Sequence, residues 1–483
     1  MIGGDVPIEK YKFRARPQRM DFVLFPPDQK GKEISIFSVI MLLCTVCMGT
    51  GPFLMYENFF KCGIIEVLLI ILFVMILVQL SIHVYTRCWF YGVAYDYQQI
   101  CKFVFGSKWL SFIPLILNIL AYLTFACRFG LEISKNGFAF LNQIWPKCPG
   151  FLKSKYFLLY FVNLLTTFPS LFARNIISLS WIAYIGIIAK LVVILCLIIM
   201  LINCIKEMGF KVVVKTFASV DNALPFIPFI SLFSKDPAVF FNCVSTIMIA
   251  FFMHPMLNTI FAQMRNPTVF RCMKSTWLAS VLFIIIFYGI GVVAYFVVQT
   301  HMQDAYETEQ IFNETHNFSV YFDRPFNLFY IANKFKIKKF TNRNVFFNYK
   351  TDRVEAIVGQ ISCYVVTVTS NIIYTHFIAT QVSSIIIDPK ETSQISIVVS
   401  GVAVNLFAIG VNFMDGRIID VLDAISSFAL IILEFILPSF CYLQLYRFTR
   451  PFWGVISLIV LILGIPTGLT CVYYKILYLK SLF

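Results

Sequence analysis

The sequence predicts an all-α polytopic membrane protein with eleven transmembrane helices. Three observations carry that prediction. Of its 483 residues, 59% are hydrophobic and only 13% are charged, about half the charged share of a soluble domain. Apolar runs of about 20 residues, long enough to cross a hydrocarbon core, recur along the whole chain. Two of these runs, five spans apart, carry helix-breaking residues where the bilayer would be deepest.

The expected spans, taken in order, are 35–60, 63–87, 109–142, 156–172, 177–203, 238–262, 276–299, 354–382, 395–413, 419–446 and 452–478. The third is long enough to tilt or to extend past the bilayer. The chain then divides into a cytoplasmic N-terminal tail at 1–34, a first five-helix repeat at 35–203 and an outer loop at 204–237. A second five-helix repeat follows at 238–446, enclosing an outer loop at 300–353, and 447–483 holds the eleventh span and the C-terminus.

Orientation rests on two signals. Residues 1–34 are polar and carry seven Lys/Arg, which favours the cytoplasm. They lack the apolar core of a cleavable signal, so the first span is expected to act as the insertion signal. The 300–353 loop holds two glycosylation sequons, at Asn313 and Asn317, and seven spans from a cytoplasmic start place it outside. An odd span count then puts the C-terminus outside as well. The basic run IANKFKIKKFTNRN in that loop reads as a solvated lid or a partner surface.

The net charge of +14 is spread over tails and loops. No basic block alternates with aromatics as a nucleic-acid groove requires. Cys44 and Cys47 form a C-x-x-C inside an apolar span, where thiols serve as small apolar fillers. Cys62, Cys148 and Cys204 lie near loops on one side, where a disulfide is open but unproven. No nucleophile–base pair, phosphate-binding loop or metal spacing stands out, so neither an enzyme nor a cofactor or metal is expected.

The two interruptions carry the functional reading. In the first span Gly49, Gly51 and Pro52 loosen the backbone and remove one donor. In the sixth, Met253-His254-Pro255 does the same, with Asn258 one turn on. Breaks in spans 1 and 6 are what an inverted five-helix repeat produces. Unwound backbone at that depth is tolerated where it lines an enclosed cavity. Free N–H groups there can receive a carboxylate, and freed carbonyls an ammonium or cation. An α-amino acid carries both groups on one carbon. Plain kinks are the alternative.

The chain resembles the amino acid/auxin permease family at four places. Met48-Gly49-Thr50-Gly51, with Gly63 fourteen residues after Gly49, is similar to its first-span signature. Tyr95-Asp96-Tyr97 with Phe105-Gly106 is similar to its second-loop motif. Ala250-Phe251-Phe252-Met253-His254 with Met264-Arg265-Asn266-Pro267 resembles its sixth span and the turn behind it. Leu433-Glu434-Phe435-Ile436-Leu437-Pro438, with Tyr442-Leu443, resembles its tenth-span ending. The resemblance implies a LeuT-type 5+5 fold, eleven spans and secondary transport of amino acids. Two positions depart from the family: Tyr56 stands where a proline is usual, and Thr45 where an asparagine helps hold sodium in sodium-coupled members.

Ionisable groups at membrane depth need a partner or a task, because burying them costs about 2.5–3.5 kcal/mol on insertion scales. Lys190 lies thirteen residues into the fifth span, about 19 Å deep at ~1.5 Å per residue. In related proton-coupled transporters a span-5 lysine takes the place of a sodium ion, and Lys190 resembles it. It reads as a proton-coupling group, a fixed charge in a uniporter, or half of a structural pair. Thr367, Thr369 and Ser370 are the span-8 hydroxyls expected to face it; the alternative is bonding to their own helix. Arg128 and Glu132, four apart on one face, read as an internal ion pair or a gate. Glu57 is a proton or amine acceptor, or a wet mouth residue. His254 is a satisfied or a pH-sensing histidine, and Glu434 a cap to the kink at Pro438.

The expected function is secondary active transport of neutral or cationic amino acids by alternating access, as a symporter with protons. Substrate contacts are assigned to Cys47, Met48, Gly49, Thr50 and Gly51, and to Phe251, Phe252, Met253 and His254. Coupling is assigned to Lys190, Thr45, Thr367, Thr369, Ser370 and Glu57. The alternatives are an amino-acid sensor with the same fold and little flux, or a sodium-coupled or uniport carrier. The partners are the amino acid, a proton or sodium, and the lipid of a plasma or vacuolar/lysosomal membrane.

Overall fold

The chain folds into helices that match the apolar runs, because a backbone in lipid must satisfy its polar groups within its own segment. The structure is a computed structural model. It describes residues 34–48, 58–59, 62–92, 97–106, 108–145, 147–152, 154, 157–158, 161, 163–173, 179–208, 213–217, 229–234, 236–310, 354–386, 394–413, 416–446 and 451–482.

The helices in chain order are α1 (Ile36–Met48), α2 (Ile64–Gly92), α3 (Tyr97–Phe105), α4 (Lys108–Ile144), α5 (Asn163–Leu171), α6 (Ser180–Met208) and α7 (Pro237–Ala250). They continue with α8 (His254–Phe261), α9 (Val269–Gln310), α10 (Val354–Ile386), α11 (Gln394–Phe413) and α12 (Gly416–Ile431). A π-helical segment, Ile432–Ile436, leads into α13 (Leu437–Tyr446), and α14 (Pro451–Leu482) ends the chain.

Among the described residues, nine stretches are long and apolar enough to cross a membrane, with α7–α8 and α12–α13 each counted as one. The other two expected spans are present in part. α1 is described only to Met48, and the 156–172 run yields one continuous described helix, the nine-residue α5. The span expected at 276–299 belongs to a longer helix, α9, which runs on to Gln310 into what was assigned to the outer loop. The segment expected as a loop at 204–237 holds a parallel pair of strands, β1 (Val213–Phe217) and β2 (Phe229–Phe233). Its end is tied to the start of α2, where the Glu66 carboxylate accepts from the Ser234 N–H.

Sequence periodicity decides which face of each helix looks inward. On α6 the exposed side is apolar at Trp181, Ile185, Ile188, Leu191, Leu195 and Ile202, a stripe at helical spacing suited to lipid. The opposite side buries Ala183, Ile187, Lys190, Val193 and Leu197. That side packs on α10, α9 and α1, while α10 also meets α4, α11 and α5. α14 is the most peripheral span and lies against α12, α13, α2 and α7.

Local chemistry sets the ends that matter. The Asp236 side chain caps α7 by accepting from Ala238 N at 2.8 Å, with Pro237 in the first turn, a position where its missing N–H costs nothing. Gly63 takes a φ of 96° just before α2, a conformation open to glycine at little cost. The start of α1 is held by main chain: Ile34 N donates to Gln263 O at 3.0 Å and accepts through its own carbonyl from Arg265 N at 3.0 Å. The turn behind α8 then passes through Asn266 at φ 48° into Pro267.

Candidate functional site

The sixth apolar run is interrupted. α7 ends at Ala250 and α8 begins at His254, with Phe251, Phe252 and Met253 between them. Phe252 N falls back to a three-residue bond with Ile249 O at 3.3 Å, and Met256 N bonds Met253 O at 3.0 Å. Pro255, in the first turn of α8, has no N–H to give. The carbonyl end of one helix thus faces the amide end of the next, so partial charges of both signs meet at one place.

All four residues assigned there are buried, but their side chains separate. The Phe251 ring packs on Phe283 of α9, with centroids 4.2 Å apart. Phe252 turns to α4, with Tyr122 at 5.3 Å and Phe125 at 6.2 Å. Those rings continue to Tyr374 and Phe377 on α10, which lie 5.5 Å and 4.9 Å from Tyr122. The Tyr374 hydroxyl donates to the carbonyl of Val46 near the end of α1. One aromatic relay therefore joins the last turn of α1 to the interruption between α7 and α8.

A second cluster forms where α6, α1 and α10 meet. Thr45 Oγ1 lies 3.0 Å from Met41 O and 3.2 Å from Ala183 O of α6. A Cβ on Gly186 would sit 2.9 Å from Thr369 Oγ1 and 3.4 Å from Thr45 Cγ2, so its absence lets the three helices close. Lys190 lies one turn along the same face of α6. It is fully buried, and its Nζ has no hydrogen-bond partner among the described residues. The ionisable groups acting on it are the thiols of Cys44 and Cys47.

Two of the predicted coupling residues, Thr45 and Thr369, are thus brought together beside Gly186, one turn from Lys190 on α6. Thr367 is not: on a helix it stands about 200° round from Thr369, and its Oγ1 returns to Cys363 O at 2.9 Å. Thr369 Oγ1 also bonds its own helix, at Val366 O, 3.0 Å away. Ser370 is buried, and its hydroxyl has no partner among the described residues. Met48 is the last residue of α1; its side chain, with Gly49, Thr50, Gly51, Glu57, Asn313 and Asn317, lies outside the described residues.

One expectation changes. Arg128 pairs with Asp423 of α12 rather than with Glu132, its Nε donating to Oδ1 at 2.7 Å. Side chains four apart on one helix share a face, but a bundle offers partners from neighbouring helices too. Cys62 and Cys148 are free buried thiols.

Glu434 is the residue that sequence reasoning undervalued. It is fully buried within the π-helical segment rather than capping a kink. Such a segment disturbs the regular ladder, and two of its carbonyls are met by hydroxyls from elsewhere. Tyr97 of α3 donates to Leu433 O at 2.7 Å, and Ser81 of α2 donates to Glu434 O. Burial keeps the Tyr97 hydroxyl protonated, well above the usual phenol range. The Glu434 carboxyl lies 3.8 Å from the His254 ring. One more contact ties α8 to α2: Asn258 Nδ2 donates to Tyr85 OH at 2.7 Å. The available signal was a lone acid in the apolar run LEFILP.

No curated protein matches this sequence. Among 129 solved chains of similar structure is MhsT, crystallised in complex with L-phenylalanine. It superposes with a TM-score of 0.56 at 14% identity, over 92% of this chain and 99% of its own. That likeness shows the fold, the LeuT type. The profile of the family described as transmembrane amino acid transporter protein matches residues 32–331. By that match, over more than half its length, the chain belongs to the transmembrane amino acid transporter family.

Proposed function

We propose that this protein carries an amino acid across its membrane by alternating access, driven by protons. The observation that carries the proposal is the aromatic relay from Val46 through Tyr374 and Tyr122 to Phe252. It sets the end of α1 beside the interruption at Phe251–Met253. Main-chain carbonyls and amides exposed there suit the ammonium and carboxylate of an amino acid. Cys47 and residues 48–51 on one side, and Phe251 to His254 on the other, form the cradle. Tyr122, Phe125 and Phe252 offer an apolar wall to the substrate side chain, as ring contacts between them imply.

Lys190 supplies the coupling. Its buried ammonium, with no hydrogen-bond partner among the described residues, is the group assigned to exchange the proton during the cycle. Thr45 and Thr369 stand where oxygen ligands would otherwise hold a cation, and Ser370 and Glu57 complete the assignment. The scheme divides the chain into inverted repeats at 35–203 and 238–446, with spans 1 and 6 discontinuous and the N-terminus cytoplasmic. Asn313 and Asn317 then face the outside of a plasma or vacuolar/lysosomal membrane as glycosylation sites.

The test is uptake of each radiolabelled amino acid into proteoliposomes, with and without a pH gradient and sodium. Saturable accumulation driven by the proton gradient is expected. Saturable binding with no flux would overturn transport in favour of a sensor, and accumulation only with sodium would overturn the coupling ion.

A further inference from the structure

Ser81 links His254 and Glu434 through two hydrogen bonds, and the proton count at that link can be worked out. The Ser81 hydroxyl has one proton and gives it to the Glu434 carbonyl, which can only accept. Ser81 Oγ also lies 3.1 Å from His254 Nε2. With its proton committed, that oxygen can only accept there, so Nε2 carries the hydrogen. The other ring nitrogen, Nδ1, stands 3.8 Å from Glu434 Oε1. Neither Nδ1 nor either carboxyl oxygen has a hydrogen-bond partner among the described residues, and both side chains are fully buried.

A bare Nδ1 facing a carboxylate would set two fully buried acceptors against each other. One proton removes the conflict, whether it rests on the carboxyl group or on the ring. We propose that His254 and Glu434 together bind one exchangeable proton, and that its presence holds the start of α8 to the π-helical segment. Losing the proton leaves an uncompensated charge facing a lone pair, which is relieved by separating the two elements.

Other titratable groups border the pair. Tyr85 of α2 lies beside the His254 ring at 6.1 Å, and Cys47 of α1 and Tyr122 of α4 face the carboxyl. On the flanking helices, Asp423 of α12 is held by Arg128, and Lys475 of α14 donates to Ser427 at 2.5 Å. On α13, Tyr442 stacks on Tyr446, and Cys441 faces Cys88 and Cys101. Lys190 lies at a different helix contact, that of α6 with α1 and α10, and Cys47 stands within electrostatic reach of both it and Glu434. Only its use in coupling rests on the transport reading; the proton itself is bound with or without flux.

The experiment follows amide hydrogen exchange of the full chain in lipid nanodiscs, without substrate, from acid to alkaline pH, corrected for intrinsic rates. Residues 251–261 and 432–436 are expected to loosen together in one step as pH rises. Glu434→Gln, whose amide donates to Nδ1 at every pH, should abolish the step and keep both segments protected. His254→Gln should abolish it too, and Lys190→Ala should leave it in place. A wild type without the step, a step that survives both Glu434→Gln and His254→Gln, or one lost in Lys190→Ala would overturn the proposal. Because no flux is read, failure of the transport reading would show separately, as absent uptake with the exchange step retained.

Discussion

Gly186 on α6 and Thr369 on α10 approach so closely that a Cβ on the glycine would lie 2.9 Å from the threonine hydroxyl. Thr369 is stiff about χ1 and bonded to Val366 O, so it cannot swing clear without breaking that bond. Gly186→Ala is expected to destabilise the fold by about 1–3 kcal/mol through overpacking. Thermal unfolding in detergent measures it. Adding Thr369→Ala should restore most of the loss; additive losses would refute the contact as the cause.

Lys190→Ala removes the buried ammonium at the same junction. Proton-driven accumulation should disappear, and residual uptake should no longer vary with pH. The measurement is radiolabelled uptake into proteoliposomes at matched and opposed pH. Concentrative uptake that still follows the proton gradient would reject Lys190 as the coupling group.

Tyr374→Phe keeps the ring in the aromatic relay but strips the hydroxyl from the Val46 carbonyl. An unsatisfied buried acceptor costs about 1–3 kcal/mol. Substrate affinity should fall along with thermal stability, since the carbonyl belongs to the cradle's edge. Binding measured by calorimetry would remain at the wild-type level if the relay lay outside the site.

Arg128 and Asp423 differ in exposure, their side chains being 47% and 9% accessible. Arg128→Ala strands a buried carboxylate and should cost about 1–3 kcal/mol. Asp423→Asn keeps a side-chain oxygen that can still accept from the Arg128 guanidinium, and should cost less. Melting temperatures of the two variants, compared in one detergent, give the order; the reverse order would refute the argument.

What the sequence could reveal follows the range of each signal. A lone lysine thirteen residues into an apolar run is a local signal, so the burial of Lys190 was legible in the sequence. So was the interruption at Phe251 to His254, since Pro255 cannot continue a helix hydrogen-bond ladder. Partnerships across the bundle were not legible: Arg128 and Asp423 are 295 positions apart, and nothing local links them. Thr367 was grouped with Thr369 by proximity in sequence, although two residues on a helix face nearly opposite ways. The π-helical segment was hidden for another reason. Its residues are ordinary helix formers, and only the hydroxyls of Tyr97 and Ser81, from distant elements, make its extra carbonyls affordable.

The start of α1 is tied to the turn behind α8 through Ile34, whose N–H and C=O are both engaged by residues 263 and 265. Because this yoke is main chain on both sides, it does not depend on which side chains occupy those positions. The foot of α1 therefore cannot part from the turn behind α8 without breaking two main-chain bonds.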